Sequence, residues 1–403
     1  MSALSQLVIV NIDELWLKGK NRPHYFRRLQ NNVRSKLKHL HSDTVELKNE
    51  NQRLICFSET PFSLETVGEL QKVAGAKSIV PTQRLPRDED ALYEAVKKLL
   101  EFYPEKGKTF KVETHRVDKG FKKKSMDLSR EVGAFILKNT DSWKVHMKAP
   151  ELLVDIKVME DHFYLSHQKY PAIGGLPVGS NGHLVTMISG GFDSPVASYM
   201  MAKRGCRQTF VFFHAYPFVG DEVKEKIFAI CEHLAHYQNG CDLYVVPFGH
   251  LQKEIAKLCR EDYRTSLFRR YMVESSWRLA QRIQGDALLT GDALGQVSSQ
   301  TITNIRLIDE ASRLPILRPL IGFNKQETIR IAQEIDTYEI SVRPHDDACS
   351  LFAPKHPVIR PDFKYWNTFV AQNDFSEAME KALDESEIWT YDPIGKRVRR
   401  QQK

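Results

Sequence analysis

Residues 189–194, Ser-Gly-Gly-Phe-Asp-Ser, are of the types that hold phosphate groups. They follow a short apolar stretch and open a helix-like segment with Pro195 near its first turn and Gly205 at its end, which is typical of helix termini. Two glycines let the backbone approach a ligand closely, and a helix start supplies unpaired N–H groups and a positive dipole end. We therefore expect this turn to hold phosphate, for example the pyrophosphate of ATP. A plain strand-to-helix turn would use the same residue types.

A second polar segment, residues 290–304, is rich in Gly, Ser, Thr and Gln and is longer than a simple connection requires. Gln300 in this segment has the hydrogen-bonding groups to contact a nucleotide, and Arg269 on the preceding helix could meet phosphates. An unliganded surface loop and a surface charge explain the two residues as well. No G-x-x-x-x-G-K-[ST] occurs, and no G-x-G-x-x-G follows a strand, which disfavours a Walker NTPase and a dinucleotide-binding protein.

Cys349 lies in an irregular polar segment between Pro344 and Pro354. A cysteine there is expected to be more exposed than Cys231 or Cys259, which sit on apolar helix-like stretches. Neighbouring aspartates raise the pKa of a thiol, whereas a neighbouring His or Lys lowers it. From these residues alone, an inert thiol and a working thiol remain equally open.

The elements around residues 183–290 alternate strictly between strand-like and helix-like segments, and the strands are apolar. This alternation predicts a doubly wound parallel sheet with helices on both faces. Ligands of such sheets bind at the carboxyl ends of the strands, so the loops that leave the strands are the candidate ligand-binding segments.

The first 182 residues contain different patterns. After an initial apolar strand, Phe26, Leu29, Val33, Leu37 and Leu40 recur at helical spacing, with basic residues on the other face. Residues 66–169 mix helices and strands, which indicates a small sheet with helices on one face. The segment 171–182, rich in Gly and Pro, is the clearest linker in the chain.

Charge is divided unevenly between these halves. Residues 1–182 hold 30 Lys and Arg against 23 Asp and Glu, whereas residues 183–403 hold 28 of each. Such asymmetry favours a polyanionic partner for the front half, although a solvated basic surface explains it too. The cluster Lys119, Lys122, Lys123 and Lys124 around Phe121 is likewise typical either of phosphate contact with base stacking or of a solvated loop.

Several classes are excluded by composition. The 403 residues are enough for two to four domains, and 42% hydrophobic and 27% charged residues are ordinary for a folded protein. No apolar run is long enough for a membrane span or a signal peptide, so we expect a cytoplasmic protein without membrane attachment. Six cysteines without a C-x-x-C pair argue against a structural metal site and a disulfide framework.

The turn SGGFDS resembles the signature of the PP-loop ATP pyrophosphatases. Together with "ELWLKGKNR", "TGDALGQVSSQTITN", "ILRPLIGFNKQE" and "DDACSLFAPKHP", it makes the chain similar to the tRNA 4-thiouridine synthetase family (ThiI, tRNA uracil 4-sulfurtransferase). The resemblance covers nearly the whole chain. It implies an α/β protein with an N-terminal ferredoxin-like domain (1–65), a THUMP RNA-binding domain (66–169), a linker (170–182) and a doubly wound parallel-sheet PP-loop catalytic domain (183–403).

The resemblance implies that ATP adenylates O4 of the uridine at tRNA position 8 and that sulfur then displaces AMP to give 4-thiouridine. The implied catalytic residues are Asp193, acting through Mg2+ or the phosphates, Lys325, facing the phosphates, and Cys349, taking part in sulfur transfer. The implied nucleotide-binding residues are Met187, Ile188, Ser189, Gly190, Gly191, Ser194, Phe213, His214, Arg269, Gly291 and Gln300. ATP and Mg2+ are the implied cofactors, and no protein metal site is implied.

Partners follow from the same resemblance. The tRNA acceptor end is expected to bind the THUMP and N-terminal domains. Some members carry sulfur on a rhodanese domain, and this sequence has no cysteine after Cys349, so we expect a form lacking that domain. Its sulfur would come from a separate donor such as a cysteine desulfurase or a rhodanese-type protein. A homodimer is also expected.

Two alternatives remain open at this level. One is a PP-loop RNA-modifying enzyme with a nitrogen nucleophile, and the other is a non-catalytic tRNA-binding protein. A THUMP methyltransferase is disfavoured, because no dinucleotide-like glycine fingerprint and no N/D-P-P-[YF] motif is present.

Overall fold

The computed structural model describes residues 5–41, 43–50, 53–343, 352 and 354–400, except the side chains of 15–18. The chain divides into two compact units, Met1–Gly175 and Leu176–Lys403. In the described residues, no helix is both long enough and apolar enough to cross a membrane.

The first unit is an α/β structure built around one extended sheet. Its strands are β1 (Ser5–Ile12), β2 (Glu46–Glu50), β3 (Arg53–Phe62), β4 (Ala76–Pro86), β5 (Thr109–Arg116), β6 (Lys144–Val145), β7 (Leu152–Val158), β8 (His162–Ser166) and β9 (Tyr170–Pro171). Its helices are α1 (Arg22–Leu40), α2 (Leu64–Gln71), α3 (Glu89–Glu101) and α4 (Ser125–Lys138). The strand order is β2-β3-β1-β4-β8-β7-β5-β6, with β9 beside β4.

Strand β4 joins the two parts of this sheet. It pairs antiparallel with β1 over residues 76–82 and with β8 over residues 83–86. The ferredoxin-like and THUMP sequence regions are therefore hydrogen-bonded through one continuous strand.

Helix α1 confirms the amphipathic pattern of its sequence. Leu29, Val33 and Leu37 are fully buried, whereas Arg27 and Arg28 are exposed. The 3.6-residue period places the apolar residues on one face, so the opposite face presents cationic side chains to solvent.

Phe121 does not have the role of a base-stacking residue. It is 8% exposed and packs edge to face on Phe163, with ring centroids 5.6 Å apart, in the core under α3 and α4. Lys123 of the same cluster pairs with Glu89 at 2.6 Å and with Glu131. Of the two interpretations left open for this cluster, base stacking by Phe121 is contradicted, because the ring is buried in the core.

The second unit alternates strands and helices. Its strands are β10 (His183–Met187), β11 (Arg207–His214), β12 (Cys241–Pro247), β13 (Ala287–Leu289), β14 (Ile316–Leu317), β15 (Glu387–Tyr391) and β16 (Arg397–Arg400). Its helices are α5 (Asp193–Lys203), α6 (Glu222–Gln238), α7 (Gly249–Leu258), α8 (Arg264–Arg282), α9 (Ile302–Asp309), α10 (Lys325–Glu334), α11 (Tyr338–Ser341), α12 (Phe363–Gln372) and α13 (Ser376–Asp384).

The strand order of this unit is β14-β13-β10-β11-β12-β15-β16. The first five are parallel, and the chain order reverses between β10 and β13, which confirms the doubly wound fold. Strands β15 and β16 add an antiparallel ribbon beyond β12, which the sequence analysis did not predict.

Both faces of the parallel sheet are covered. Phe212 belongs to the core against α6, and the next residue, Phe213, belongs to the core against α8. This alternation explains why the strands are apolar on both sides and why only the strand ends are available for a ligand.

Candidate functional site

A cleft of about 240 Å³ lies at the carboxyl ends of β10 and β13, where the chain order reverses. Open α/β sheets bind ligands at such a point because the loops leaving the two strands diverge there. The cleft is lined by Met187, Ile188, Ser189, Asp193, Ser194, Phe212, Phe213, Arg269, Met272, Thr290, Gly291, Asp292 and Gln300.

The turn between β10 and α5 is closed by the side chain of Ser194. The backbone N–H of Ser189 donates to Ser194 Oγ at 2.9 Å, and the two hydroxyl oxygens are 3.2 Å apart. Ser194 is buried and Asp193 opens the helix, so the turn is fixed against the helix N-terminus. A helix N-terminus behind a glycine turn suits an anionic ligand.

Gly291 allows the second loop to pack against this turn. A Cβ at Gly291 would lie 2.6 Å from the Ser194 nitrogen and 2.7 Å from the Asp193 carbonyl carbon. Both are backbone atoms that a side chain could displace only by moving the start of α5. The glycine is therefore required by close approach of the two loops.

Asp193 is a half-buried carboxylate with one satisfied oxygen. Gln296 Nε2 donates to Oδ2 at 3.1 Å, whereas Oδ1 is buried and accepts no hydrogen bond from the described residues. Burial raises the pKa of Asp193, the Gln296 hydrogen bond and Lys325 oppose the shift, and the charge of Asp292 adds to it. The Oδ1 atom of Asp193 thus lies without a hydrogen-bond partner beside the turn at 189–194. It could bind a cation or accept a hydrogen bond from a ligand.

Lys325 lies at the start of α10 beside the same turn. Its Nζ is 5.8 Å from the centroid of the Phe192 ring, and its charge acts on Asp193. The side chain is exposed and is not part of the cleft lining. Helix α10 is held by a capping box between Asn324 and Glu327, which fixes the position of the lysine.

Asp292 anchors a buried ionic network beneath the cleft. It is 3% exposed and accepts hydrogen bonds from Arg269, Gln300, Thr290 and Arg318. The network joins α8, the loop after β13 and the segment after β14, so it sets the spacing of the cleft walls.

The structure brings together most of the predicted nucleotide-binding residues and the predicted catalytic residue Asp193. Met187, Ile188, Ser189, Asp193, Ser194, Phe213, Arg269, Gly291 and Gln300 all line the cleft. Gly190 and Gly191 form the turn itself without lining the cleft, and His214 is buried, with its Nε2 3.2 Å from the Gly220 carbonyl oxygen. Cys349 lies outside the described residues.

Four lining residues were not predicted: Phe212, Met272, Thr290 and Asp292. Thr290 and Asp292 flank the predicted Gly291 at the end of a strand, and that position was a usable signal. Phe212 and Met272 carry no chemical signal, since apolar residues of strands and helices are usually core residues.

The described thiols are not suited to nucleophilic chemistry. Burial raises the pKa of Cys206 and Cys259 to about 11 and that of Cys56 to about 12, and it raises the values of Cys231 and Cys241 further. A thiolate is the reactive form, so these cysteines are structural. In the described part of the chain, no group of three or more His, Cys, Asp or Glu residues could hold a metal ion.

Comparison with known families matches three consecutive regions. Residues 7–80 match the ThiI ferredoxin-like domain, residues 86–168 match the THUMP domain, and residues 179–371 match the family described as "Thiamine biosynthesis protein (ThiI)".

Whole-chain relatives agree with these matches. A "Probable tRNA sulfurtransferase" of Caldanaerobacter subterraneus subsp. tengcongensis is 39% identical over 89% of this chain and 93% of its own length. One of Alkaliphilus metalliredigens is 37% identical over 96% of this chain and 98% of its own length.

Solved structures share the architecture. The crystal structure of a 4-thiouridine synthetase–RNA complex with bound ATP has a TM-score of 0.87 and 30% identity, covering 96% of this chain and all of that one. PH1313 from Pyrococcus horikoshii, at 20% identity and a TM-score of 0.64, covers 82% of this chain and 99% of its own and shares the fold. The identity over nearly the full length shows that this chain belongs to the tRNA sulfurtransferase (ThiI) family.

Proposed function

We propose that the protein is an ATP-dependent tRNA sulfurtransferase that converts the uridine at position 8 to 4-thiouridine. Family membership over the whole chain supports the activity. The main structural support is the cleft at the carboxyl ends of β10 and β13. The glycine turn at 189–194 and the carboxylate of Asp193, whose Oδ1 has no partner among the described residues, both lie at this cleft.

The first chemical step activates the uracil. O4 attacks the α-phosphorus of ATP, the α–β phosphate bond breaks, pyrophosphate leaves, and the N3 proton is lost. Adenylation is needed because the amide-like oxygen is a poor leaving group, whereas AMP is a good one. The turn at 189–194 and the N-terminus of α5 hold the phosphates, and Arg269 and Lys325 offset their charge.

The second step replaces oxygen by sulfur. A nucleophilic sulfur attacks C4 and AMP departs. If the sulfur is the terminal atom of a Cys349 persulfide, a further thiol must cleave the resulting disulfide to release 4-thiouridine.

Mg2+ fits the site at Asp193. The carboxylate has an oxygen that no described residue satisfies, and carboxylates with phosphate oxygens are the usual ligands of Mg2+. Asp193 would hold the ion, which would neutralise charge on the phosphates when bound.

The proposed partner of the first unit is the tRNA acceptor end. The exposed cationic face of α1 and the excess of basic residues before residue 183 support this assignment. We further propose a ferredoxin-like domain (1–65), a THUMP domain (66–169), a linker (170–182) and a catalytic domain (183–403). The proposed sulfur donor is a separate protein such as a cysteine desulfurase or a rhodanese-type protein, and the proposed assembly is a homodimer.

The test of this function is mass spectrometry of tRNA incubated with the protein, ATP, Mg2+, a cysteine desulfurase and cysteine. Wild type should yield 4-thiouridine at position 8 and one pyrophosphate per modified tRNA. Asp193→Asn should lower both by at least about 100-fold. Asp221→Asn, a change at an exposed carboxylate, is the control. An unmodified tRNA with the wild-type protein, or full activity in Asp193→Asn, would overturn the proposal.

Cys349 is tested by separating the two steps. Cys349→Ser should still release pyrophosphate in the presence of tRNA but should form little 4-thiouridine. Cys259→Ser replaces a half-buried structural thiol and should keep both activities. Full thiolation by the Cys349→Ser protein would remove the proposed role of this residue.

A further inference from the structure

The four donors on Asp292 fix both of its oxygens. Gln300 Nε2 donates to Oδ1 at 3.2 Å, and Arg269 Nη2 donates to the same oxygen. Thr290 Oγ1 donates to Oδ2 at 2.8 Å and Arg318 Nε at 3.1 Å. Arg269 is held a second time by Ser299 Oγ at 2.9 Å. The carboxylate is therefore a fixed acceptor behind the cleft.

The surroundings of Asp292 favour its ionised form. Burial alone would raise the pKa of Asp292, but the guanidinium of Arg269, its hydrogen bond and Arg318 outweigh burial and hold the pKa well below its usual range. An ionised carboxylate only accepts hydrogen bonds. The amide of Gln300 must then turn its NH2 group toward Asp292, since the reverse orientation would set two acceptors against each other.

This orientation leaves one group of Gln300 for a ligand. The side-chain Oε1 is buried and accepts no hydrogen bond within the described residues, and Gln300 is 9% exposed on the wall of the cleft. A buried acceptor without a donor is costly, so a ligand that supplies the donor is favoured.

We propose that Asp292 is a positioning residue that aims the Gln300 carbonyl oxygen into the cleft, so that the site selects nucleotides by an N–H or O–H donor on the nucleoside. This inference rests on the proposed function, in which the cleft takes ATP. The triphosphate carries no such donor at neutral pH. The donors of ATP are the exocyclic amino group of adenine and the ribose hydroxyls, and Gln300 binds one of them.

The experiment measures dissociation constants of the full-length protein for four nucleotides. These are ATP, inosine triphosphate with a carbonyl in place of the amino group, and the 2′-deoxy and 3′-deoxy forms of ATP. Wild type should bind one of the three analogues about 10- to 100-fold more weakly than ATP, because the analogue leaves the buried acceptor unpaired. The analogue that loses affinity identifies the donor.

Three variants then show whether the difference in affinity depends on Gln300 and on Asp292. Gln300→Met keeps the shape without the acceptor and should bring the ATP-to-analogue ratio close to 1. Asp292→Asn allows either orientation of the Gln300 amide and should lower the same ratio. Asp309→Asn is the matched control, because Asp309 also pairs with Arg318 (3.2 Å from Nη1) but is not bonded to Gln300. It should keep the wild-type ratio.

The outcomes separate this inference from the proposed function. Tighter binding of inosine triphosphate than ATP would show the NH2 group facing the cleft and overturn the assigned orientation, even if Asp292→Asn does not fold. An unchanged ratio in Gln300→Met would overturn the acceptor role, and an unchanged ratio in Asp292→Asn would overturn the positioning role. Failure of wild type to bind any of the four nucleotides would instead overturn the proposed function.

Discussion

Asp193 is a carboxylic acid at a partly buried position, and burial disfavours its charged form. Its pKa is raised in the folded protein, so the native state holds the proton more tightly than the unfolded chain. Ionisation of Asp193 therefore costs stability, and the cost appears as pH rises above the pKa of the unfolded state. Such a cost is common at functional sites, where activity and stability compete.

The Asp193→Asn protein, without nucleotide, should consequently melt at a higher temperature than wild type at pH 8. The amide still accepts from Gln296 but carries no charge. The difference should shrink as pH falls, because the wild-type carboxyl then becomes protonated. Thermal unfolding at several pH values measures this difference, with Asp221→Asn as the control for the loss of an exposed carboxylate. A lower melting temperature of Asp193→Asn at pH 8 would contradict this account.

Gly291 offers a steric test of the site. In Gly291→Ala the new methyl group would meet backbone atoms at 2.6 and 2.7 Å, so the turn at 189–194 must move. We expect ATP affinity to fall about 10-fold or more, since small displacements of binding groups are costly. Gly322→Ala is the control, because that position is open and has an ordinary φ. Equal affinities of the two variants would count against close packing of the loops.

Only some residues of the candidate site could be recognised from the sequence. The turn at 189–194 could be found because adjacent residues together carry the phosphate chemistry. The position of Asp292 after a strand was a usable signal, but its role as a shared acceptor could not be predicted, because its partners Arg269, Gln300 and Arg318 come from separate segments that only the fold brings together.

Helices α1 and α2 are joined by a buried ion pair. Lys36, 1% exposed, donates to Glu69 Oε2 at 2.9 Å and to the Glu69 carbonyl oxygen at 3.2 Å, and Lys72 pairs with the same carboxylate at 2.7 Å. Burial lowers the pKa of Lys36 to about 8, against the opposing attraction of Glu69. The folded protein thus releases this proton more readily than the unfolded chain does.

Between pH 8 and the ordinary lysine value, the unfolded chain binds more protons at Lys36, so its contribution to stability rises with pH. We expect hydrogen exchange of α1 peptides in wild type to slow in this window relative to Lys36→Met. At pH 7, Lys36→Met should be destabilising, because removing one partner of a buried ion pair leaves the charge of Glu69 less well compensated. Lys48→Met, at an exposed lysine of strand β2, is the control and should retain the wild-type pH dependence. An identical pH profile for wild type and Lys36→Met would contradict the assignment.

Elements with strong periodicity were predictable, and edge elements were not. Strand β10 and helix α5 follow clear apolar patterns. Strand β2 (Glu46–Glu50) and strand β16 (Arg397–Arg400) carry mostly polar, exposed side chains, since an edge strand packs little and therefore leaves no apolar signal.

In the whole molecule, the excess positive charge and the candidate catalytic cleft lie in different parts of the chain. The net positive charge lies before residue 183, and the candidate catalytic cleft lies in the second unit. Affinity for tRNA should therefore fall linearly on a log–log plot against salt, with a slope that reports the number of phosphates neutralised.

The double variant Arg27→Gln, Arg28→Gln on α1 should reduce the magnitude of this slope by about 1 to 2 and leave ATP affinity unchanged. Arg330→Gln, an exposed change on α10 of the second unit, should leave the slope as in wild type. Titrations of labelled tRNA at several salt concentrations measure it. A flat salt response of the wild-type protein would contradict electrostatic binding by the first unit.

The ribbon β15–β16 also covers an edge of the sheet that other chains could otherwise pair with. Strand β12 is apolar, and without β15 its backbone donors and acceptors would form an open template for other chains. The ribbon covers that template and ends the described sheet in a short, mostly exposed strand that bears three arginines, and charged edge strands disfavour pairing with other chains. Loss of residues 387–400 should therefore make the protein prone to aggregation, even though the ribbon lies outside the cleft lining.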